Sequence, residues 1–72
     1  MKFKIGVNST TNEKILAVNV DGSPIYSFEP NVIPQGKGDL ILEVSGVLLD
    51  KGRHILELVT EKGNYYKYEF FL

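Results

Sequence analysis

This 72-residue chain contains no cysteine, no tryptophan and a single histidine. The absence of cysteine excludes disulfide bonds, thiolate metal sites and cysteine nucleophiles. One histidine cannot form a multi-histidine metal site. Small exported domains often depend on disulfides, and the N-terminal residues lack the continuous apolar stretch of a signal peptide. We therefore expect no export signal in this chain and a cytoplasmic location by default, with the compartment left open.

Concentrated charge and long apolar runs are also missing. Eight basic residues face nine acidic ones, so the formal net charge is −1, and no run of one sign occurs. Binding to a phosphate backbone requires a concentrated positive field, so we expect no nucleic-acid partner. No apolar segment approaches the length of about 20 residues that a transmembrane helix needs, so we expect no membrane segment.

The apolar content is ordinary for a globular protein, since hydrophobic residues make up 43% of the chain and aromatic residues 11%. A chain of this size buries only about 60% of the surface that its unfolded state exposes. The composition therefore predicts one small domain over residues 1–72, with a single core.

Apolar and polar residues alternate along most of the chain, and apolar residues nowhere repeat at the spacing of a helix. Such segments begin near Lys2, Ile15, Leu40, His54 and Tyr65, and Gly, Pro, Asp and Asn separate them. This pattern predicts an all-β sandwich or barrel without helices. In the last segment, one face carries the residues expected to fill the core: Tyr66, Tyr68, Phe70 and Leu72.

The Asp21-Gly22 dipeptide lies between two segments of strand-forming residues. It suits the positive φ values of a type I′ hairpin turn. A two-residue turn predicts one register, with the partners Val20–Ser23, Val18–Ile25, Ala17–Tyr26 and Ile15–Phe28. The stretch 29–38 contains two prolines and two glycines, and we predict an irregular connection there that crosses between two sheets. Val47, Leu48 and Leu49 are expected to cover one end of the core.

Asp50, Gly52, His54 and Leu56 have the spacing with which immunoglobulin domains enter their F strand: Asp, any residue, Gly, any residue, Tyr, any residue, Cys. His54 takes the tyrosine position and Leu56 the cysteine position. The segments 52–58 and 63–65 resemble the form that this F-strand pattern and the turn after it take in bacterial immunoglobulin-like modules. The resemblance implies a small Ig-like Greek-key sandwich of six or seven antiparallel strands, shortened by at least one strand. A second likeness is to the sulfur-oxidation carrier subunit SoxZ, which implies a subunit that requires a partner chain.

The candidate catalytic groups lack partners. In the position that the resemblance gives it, His54 is expected to hydrogen-bond a backbone carbonyl near the corner before the F strand. The segment Gln35–Gly38 lacks the further glycine, the Ser or Thr and the helix of a phosphate loop, and it is interpreted as a flexible loop. Glu43 and Glu57 are interpreted as solvated surface residues. We therefore predict no catalytic residue, no cofactor and no metal.

The other face of the last strand presents Tyr65, Lys67, Glu69 and Phe71. Two exposed aromatic residues beside charged ones suit contact with a protein, a carbohydrate or a nucleobase. A terminal strand is also free to form a sheet edge, which another chain can extend. We predict a non-catalytic interaction or structural module that binds a protein partner, or forms a homodimer, through this edge strand and the loops around Asp21-Gly22 and Gln35–Gly38.

Two alternatives remain open from the sequence. One is a ligand-binding module for carbohydrate or single-stranded nucleic acid, built on an OB-like barrel. The other is a SoxZ-like carrier subunit that requires a partner chain.

Overall fold

A computed structural model describes all 72 residues, and β-strands are its only regular elements. The strands are β1 (Lys2–Ser9), β2 (Glu13–Val20), β3 (Ser23–Ile25), β4 (Phe28–Glu29), β5 (Val32–Ile33), β6 (Gly36–Val44), β7 (Arg53–Thr60) and β8 (Tyr65–Phe71). The all-β prediction is confirmed. There are eight strands instead of six or seven, because the stretch after the Asp21-Gly22 turn forms three short strands, β3, β4 and β5.

The strands form two antiparallel sheets that pack as a small sandwich. One sheet has the order β1-β6-β4, and the other has the order β3-β2-β7-β8, with β5 paired to the start of β2. Side chains that alternate along the long strands meet between the sheets. They form one core of 13 buried residues: Phe3, Ile5, Val7, Ile15, Val18, Val20, Ile33, Leu40, Leu42, Val44, Leu56, Leu58 and Phe70.

A β-bulge explains why the sequence of β2 is apolar on both faces. The pairing of β2 with β7 shifts between Ile15 and Ala17. The extra residue lets Ile15 and Val18 both point into the core, although three positions separate them. Leu16 is left exposed on the outer face of the sheet.

The predicted hairpin is confirmed only near its turn. Asp21 and Gly22 have φ values of 51° and 80°, and Val20–Ser23 and Val18–Ile25 are partners as predicted. The predicted partners Ala17–Tyr26 and Ile15–Phe28 are wrong. The chain leaves the larger sheet after Ile25, and Phe28 pairs instead with Val44 in the other sheet.

The stretch 29–38 crosses between the sheets as expected, but most of it is not an irregular loop. Ile33 is completely buried in β5, and Gly36–Gly38 open β6 opposite Val7–Ser9 of β1. Glycine has no side chain, so these residues gave no alternation from which a strand could be predicted. The segment around Gln35–Gly38 is therefore mainly strand, and the prediction of a flexible loop there is wrong.

The segment after β6 covers one end of the core only in part. Val47 and Leu49 are partly buried and pack against the core. Leu48 between them is fully exposed. Two of the three residues thus behave as expected.

Candidate interaction edge

β8 is the last strand of the larger sheet and pairs only with β7. Tyrosine and phenylalanine favour the strand conformation, and five of its seven residues are aromatic. The turn that precedes it contains Gly63 at φ 82°. The predicted position of this strand at a sheet edge is confirmed.

The hydrogen-bonding pattern shows which backbone groups of β8 face the open edge. Gly52 and Leu72 exchange two backbone hydrogen bonds, with N–O distances of 3.1 and 3.0 Å. Such pairs recur at every second residue of an antiparallel ladder, and the register of β7 with β8 contains no shift. The N–H and C=O groups of Tyr66, Tyr68 and Phe70 therefore bond to β7. Those directed at the open edge belong to Tyr65, Lys67, Glu69 and Phe71.

The side chains of these same four residues are exposed. Phe71 is 68% exposed and Tyr65 is 52% exposed. The structure thus places the four predicted surface residues in one row, with side chains on the outer face and backbone groups at the edge. We call these four residues the β8 edge.

Charge on this face is balanced by pairs within the chain. Arg53 forms an ion pair with Glu69, and Lys67 lies opposite Glu57 in the ladder. The Tyr65 hydroxyl donates a hydrogen bond to Glu57, and this bond raises the pKa of the tyrosine. The face therefore presents two aromatic rings with charges of both signs between them.

The inner face of β8 fills the core less completely than predicted. Phe70 is buried against Phe3, with 4.7 Å between the ring centroids. Tyr66 is only partly buried, Tyr68 is 37% exposed and Leu72 is 51% exposed. The smaller sheet has no strand beyond β1 on this side, so part of the inner face of β8 is left uncovered.

The other sheet edges differ from the β8 edge. Met1 and Val44 exchange two backbone hydrogen bonds, so the outward backbone groups of β1 belong to Lys2, Lys4, Gly6 and Asn8. Lysines are a common protection of sheet edges against pairing. β3 has three residues, one of them Pro24, and β4 has only two. The β8 edge is the long edge that carries aromatic side chains.

His54 fixes a corner of the sandwich. Its Nε2 lies 2.6 Å from the carbonyl oxygen of Asp50, which confirms the predicted backbone hydrogen bond. Its Nδ1 lies 2.6 Å from Asp21 Oδ2, a partner that the sequence did not indicate. Asp21 also accepts a hydrogen bond from the backbone N–H of Ile55 at 2.9 Å. The corner thus joins the first hairpin to β7.

Both neighbours of the imidazole are acceptors, so the ring satisfies both contacts only when both nitrogens carry hydrogen. The hydrogen bond to Asp21, followed by that to the Asp50 carbonyl, raises the pKa of His54. The hydrogen bond from His54, followed by that from the Ile55 N–H, lowers the pKa of Asp21. Between the lowered pKa of Asp21 and the raised pKa of His54, the pair therefore consists of an imidazolium and a carboxylate.

This pair predicts a pH dependence of stability. The aspartate contribution is lost as the pH falls through the lowered pKa of Asp21, and the histidine contribution is lost as the pH rises through the raised pKa of His54. Both are fully present between about pH 4 and pH 6.5, the ordinary pKa values of the two groups. We expect the urea midpoint of the wild type to fall between pH 6 and pH 9. In His54→Gln this fall should be absent or much smaller.

Other groups that titrate in this range are common to the two proteins, so the difference between their pH profiles isolates His54. Parallel profiles for the wild type and His54→Gln would contradict the assignment of an imidazolium at this corner.

The sequence analysis missed a buried carboxylate at the opposite end of the sandwich. Glu13 is 1% exposed, and its Oε1 accepts hydrogen bonds from Thr60 Oγ1 at 2.8 Å and Asn64 Nδ2 at 2.5 Å. Its Oε2 lies 2.5 Å from the hydroxyl of Ser9. The bond from Ser9, followed by that from Thr60, lowers the pKa of Glu13. This network holds the turn that leads into β8.

A signal for this network was present in the alternation. Glu13 lies two residues before the inward Ile15, and Thr60 lies two residues after the inward Leu58, so both occupy inward positions. Thr60 is the last residue of β7, and its side chain is only 1% exposed. Two inward polar residues at one end of a sandwich indicate a buried hydrogen-bond network.

The remaining candidate groups do not converge. Glu43 and Glu57 lie in different sheets, and no three His, Asp or Glu side chains come together as metal ligands. The fold has no helix with the length and apolarity needed to cross a bilayer. Comparison with protein-family models, curated proteins and solved structures finds no match to this chain.

Proposed function

We propose that this chain is a non-catalytic interaction module that binds an extended protein segment by strand addition at the β8 edge. One observation carries the proposal: free backbone groups and exposed side chains belong to the same four residues, Tyr65, Lys67, Glu69 and Phe71. In strand addition, backbone hydrogen bonds supply affinity and alternate side chains supply specificity. The β8 edge offers both over its whole length.

The hydrogen-bond partners of the histidine and of the buried hydroxyl groups support the non-catalytic part of the proposal. Both ring nitrogens of His54 are held by acceptors of the fold. The hydroxyls of Ser9 and Thr60 contact the buried Glu13, and neither contacts the histidine. A serine or threonine nucleophile needs a base within hydrogen-bond reach that is free to accept its proton.

The proposal includes an immunoglobulin-like identity, which the strand order supports. The order β1-β6-β4 corresponds to strands B, E and D of that fold, and β3-β2-β7-β8 corresponds to C′, C, F and G. Strand A then has no counterpart, in agreement with the short chain and the open edge of β1. The bond from His54 to the Asp50 carbonyl takes the place of the bond that the tyrosine makes.

Two observations argue against the ligand-binding alternative. The strands form two separate sheets, whereas an OB-like module requires a barrel. Two carboxylates lie beside the two cations near the aromatic residues: Glu69 forms an ion pair with Arg53, and Glu57 lies opposite Lys67 in the ladder. This face therefore has no net positive charge for a nucleic-acid backbone. The carrier-subunit alternative also needs a partner chain, and it stays a prediction.

A pair of proline substitutions tests strand addition. The N–H of Lys67 points to the open edge of β8, and the N–H of Lys4 points to the open edge of β1. Proline removes a donor at each site without removing a hydrogen bond to the neighbouring strand. Peptides selected from a random displayed library on sparsely immobilised wild type should bind Lys4→Pro with unchanged affinity. Binding to Lys67→Pro should be weaker by about tenfold or more.

The selected peptides should also shift the amide NMR signals of the β8 edge first. A further variant, Tyr65→Lys plus Phe71→Lys, removes the aromatic side chains and should reduce the affinity again. Peptides that bind the two proline variants equally, or that map to another surface, would contradict the proposal.

A further inference from the structure

We infer that the segment which adds to β8 is the β8 strand of a second copy of this chain, an inference that rests on the strand-addition function proposed above. The β8 edge has an aromatic, a basic, an acidic and an aromatic residue in order. When this row is reversed and laid against itself, each charge meets its opposite and each aromatic residue meets another. The edge is therefore complementary to its own copy.

The complementary register is centred on Tyr68. In an antiparallel pair with a two-fold axis at this residue, Tyr65 lies opposite Phe71 of the second copy, and Lys67 lies opposite Glu69 of the second copy. The symmetry repeats each pair once, as in any two-fold interface. Directly opposed aromatic pairs and opposite charges stabilise a sheet.

Neighbouring registers are disfavoured by charge and by side-chain direction. A shift by two residues places Lys67 opposite Lys67 of the second copy, or Glu69 opposite Glu69 of the second copy. Directly opposed like charges are destabilising. A shift by one residue turns the inner face of one strand to the outside. Among these neighbouring registers, only the one centred on Tyr68 avoids both costs.

The backbone pattern fits the same register. The residues whose N–H and C=O groups face the open edge are the four that pair with one another. Each such pair exchanges two hydrogen bonds, so the joined strands gain about eight. The two larger sheets become one continuous sheet across the two-fold axis.

The second copy also places a carboxylate on the open side of Lys67. Lys67 lies opposite Glu57 of its own chain on one side, and it gains Glu69 of the second copy on the other. On the inner face, Tyr68 is 37% exposed beside Phe3. In this register it meets Tyr68 of the second copy at the axis, which covers part of the gap left by the smaller sheet.

The edge of β1 has no such complementarity. Its outward residues are Lys2, Lys4, Gly6 and Asn8, so no register opposes unlike charges. The second copy therefore adds at β8 and not at β1, and the assembly closes as a dimer.

Charge reversal tests the partner and the register together. We expect the wild type to be a dimer in concentration-dependent sedimentation equilibrium between about 1 μM and 1 mM. Lys67→Glu opposes carboxylates across the axis, and Glu69→Lys opposes ammonium groups. Each single variant should therefore dimerise about tenfold or more weakly than the wild type. An equimolar mixture should recover the dimer, because every opposed pair in the heterodimer is then of opposite charge.

The outcomes separate this inference from the function on which it rests. A wild type that stays monomeric to about 1 mM, a dimer that survives both single reversals, or a mixture that fails to recover would overturn the self-pairing. Any of these leaves the peptide-binding test at β8 intact. Circular dichroism of each variant distinguishes a lost dimer from a lost fold.

A cross-linking experiment gives a second reading that does not depend on charge. The chain has no cysteine, so single substitutions are free of background. In the proposed register, residue 68 lies opposite residue 68 of the second copy in a non-hydrogen-bonded pair. The Cα atoms of such a pair are about 4.5 Å apart, a distance that suits a disulfide. Tyr68→Cys should form a disulfide dimer about tenfold faster than Lys67→Cys or Glu69→Cys. Faster cross-linking at 67 or 69 would overturn the register.

Discussion

Replacing Ile33 with alanine is expected to destabilise the domain by about 2–5 kcal/mol. Ile33 has no exposed surface, although it lies between two prolines in the stretch that the sequence predicted to be irregular. Its side chain packs in the core beneath the pairing of β5 with β2. Domains are stable by only about 5–15 kcal/mol, and a 72-residue chain is expected near the low end of that range. The free energy of unfolding from urea titration measures the effect.

The neighbouring residue supplies the matched control. Val32 belongs to the same short strand and is 39% exposed. Val32→Ala should cost less than about 1 kcal/mol, because little apolar surface is lost there. Equal effects at positions 32 and 33 would show that this segment does not enter the core.

Replacing Glu13 with alanine is the second large effect that we expect. The substitution removes the acceptor of Thr60 and Asn64 at once, and it removes one of the two oxygens near the Ser9 hydroxyl, the other being the Thr11 carbonyl oxygen at 2.5 Å. Buried donors left without an acceptor are costly, and we expect the melting temperature to fall by on the order of 10 °C. Glu43→Ala is the control, since Glu43 is an exposed glutamate whose ion pair with Lys2 lies on the surface.

Glu13→Gln distinguishes the role of the charge from that of the hydrogen bonds. Glutamine keeps an acceptor for Thr60 and Asn64, and its amide group donates to Ser9. The lowered pKa of Glu13 means that its contribution is lost as the pH falls through that value. The glutamine variant should therefore unfold closer to the wild type than Glu13→Ala and should lose less stability in acid. An alanine variant as stable as Glu43→Ala would contradict the buried network.

The sequence predicted the elements whose signals are local. Alternation placed Phe3, Ile5 and Val7 of β1 on one face, and they are buried. The positive φ values that Asp21-Gly22 favours are present in the turn. The resemblance carried by Asp50, Gly52 and Leu56 implied a corner position for His54, and the ring lies 2.6 Å from the backbone carbonyl oxygen of Asp50, four residues away. Each of these features involves residues that are close together in the chain.

The sequence predictions failed where the contacting residue is distant in the chain. Phe28 was predicted in the first hairpin but pairs with Val44. Gly36–Gly38 were predicted as a loop but form a strand, because they pair with β1. The carboxylate of Asp21 is 33 residues from the imidazole that it contacts. Glu13 is 47 residues from Thr60 and 51 residues from Asn64. No local pattern specifies contacts over such separations.

The row Tyr65, Lys67, Glu69 and Phe71 shows the same division. Period-two alternation by itself determined that these side chains share one face of the last strand. Only the tertiary structure decided that this strand lies at a sheet edge, because an edge position depends on how all the strands of the sheet pair. It also decided, through the hydrogen bonds between β7 and β8, that the backbone groups of the same four residues point outward. The face to which a side chain points is set by alternation between neighbouring residues, whereas an open edge depends on the pairing of every strand in the sheet.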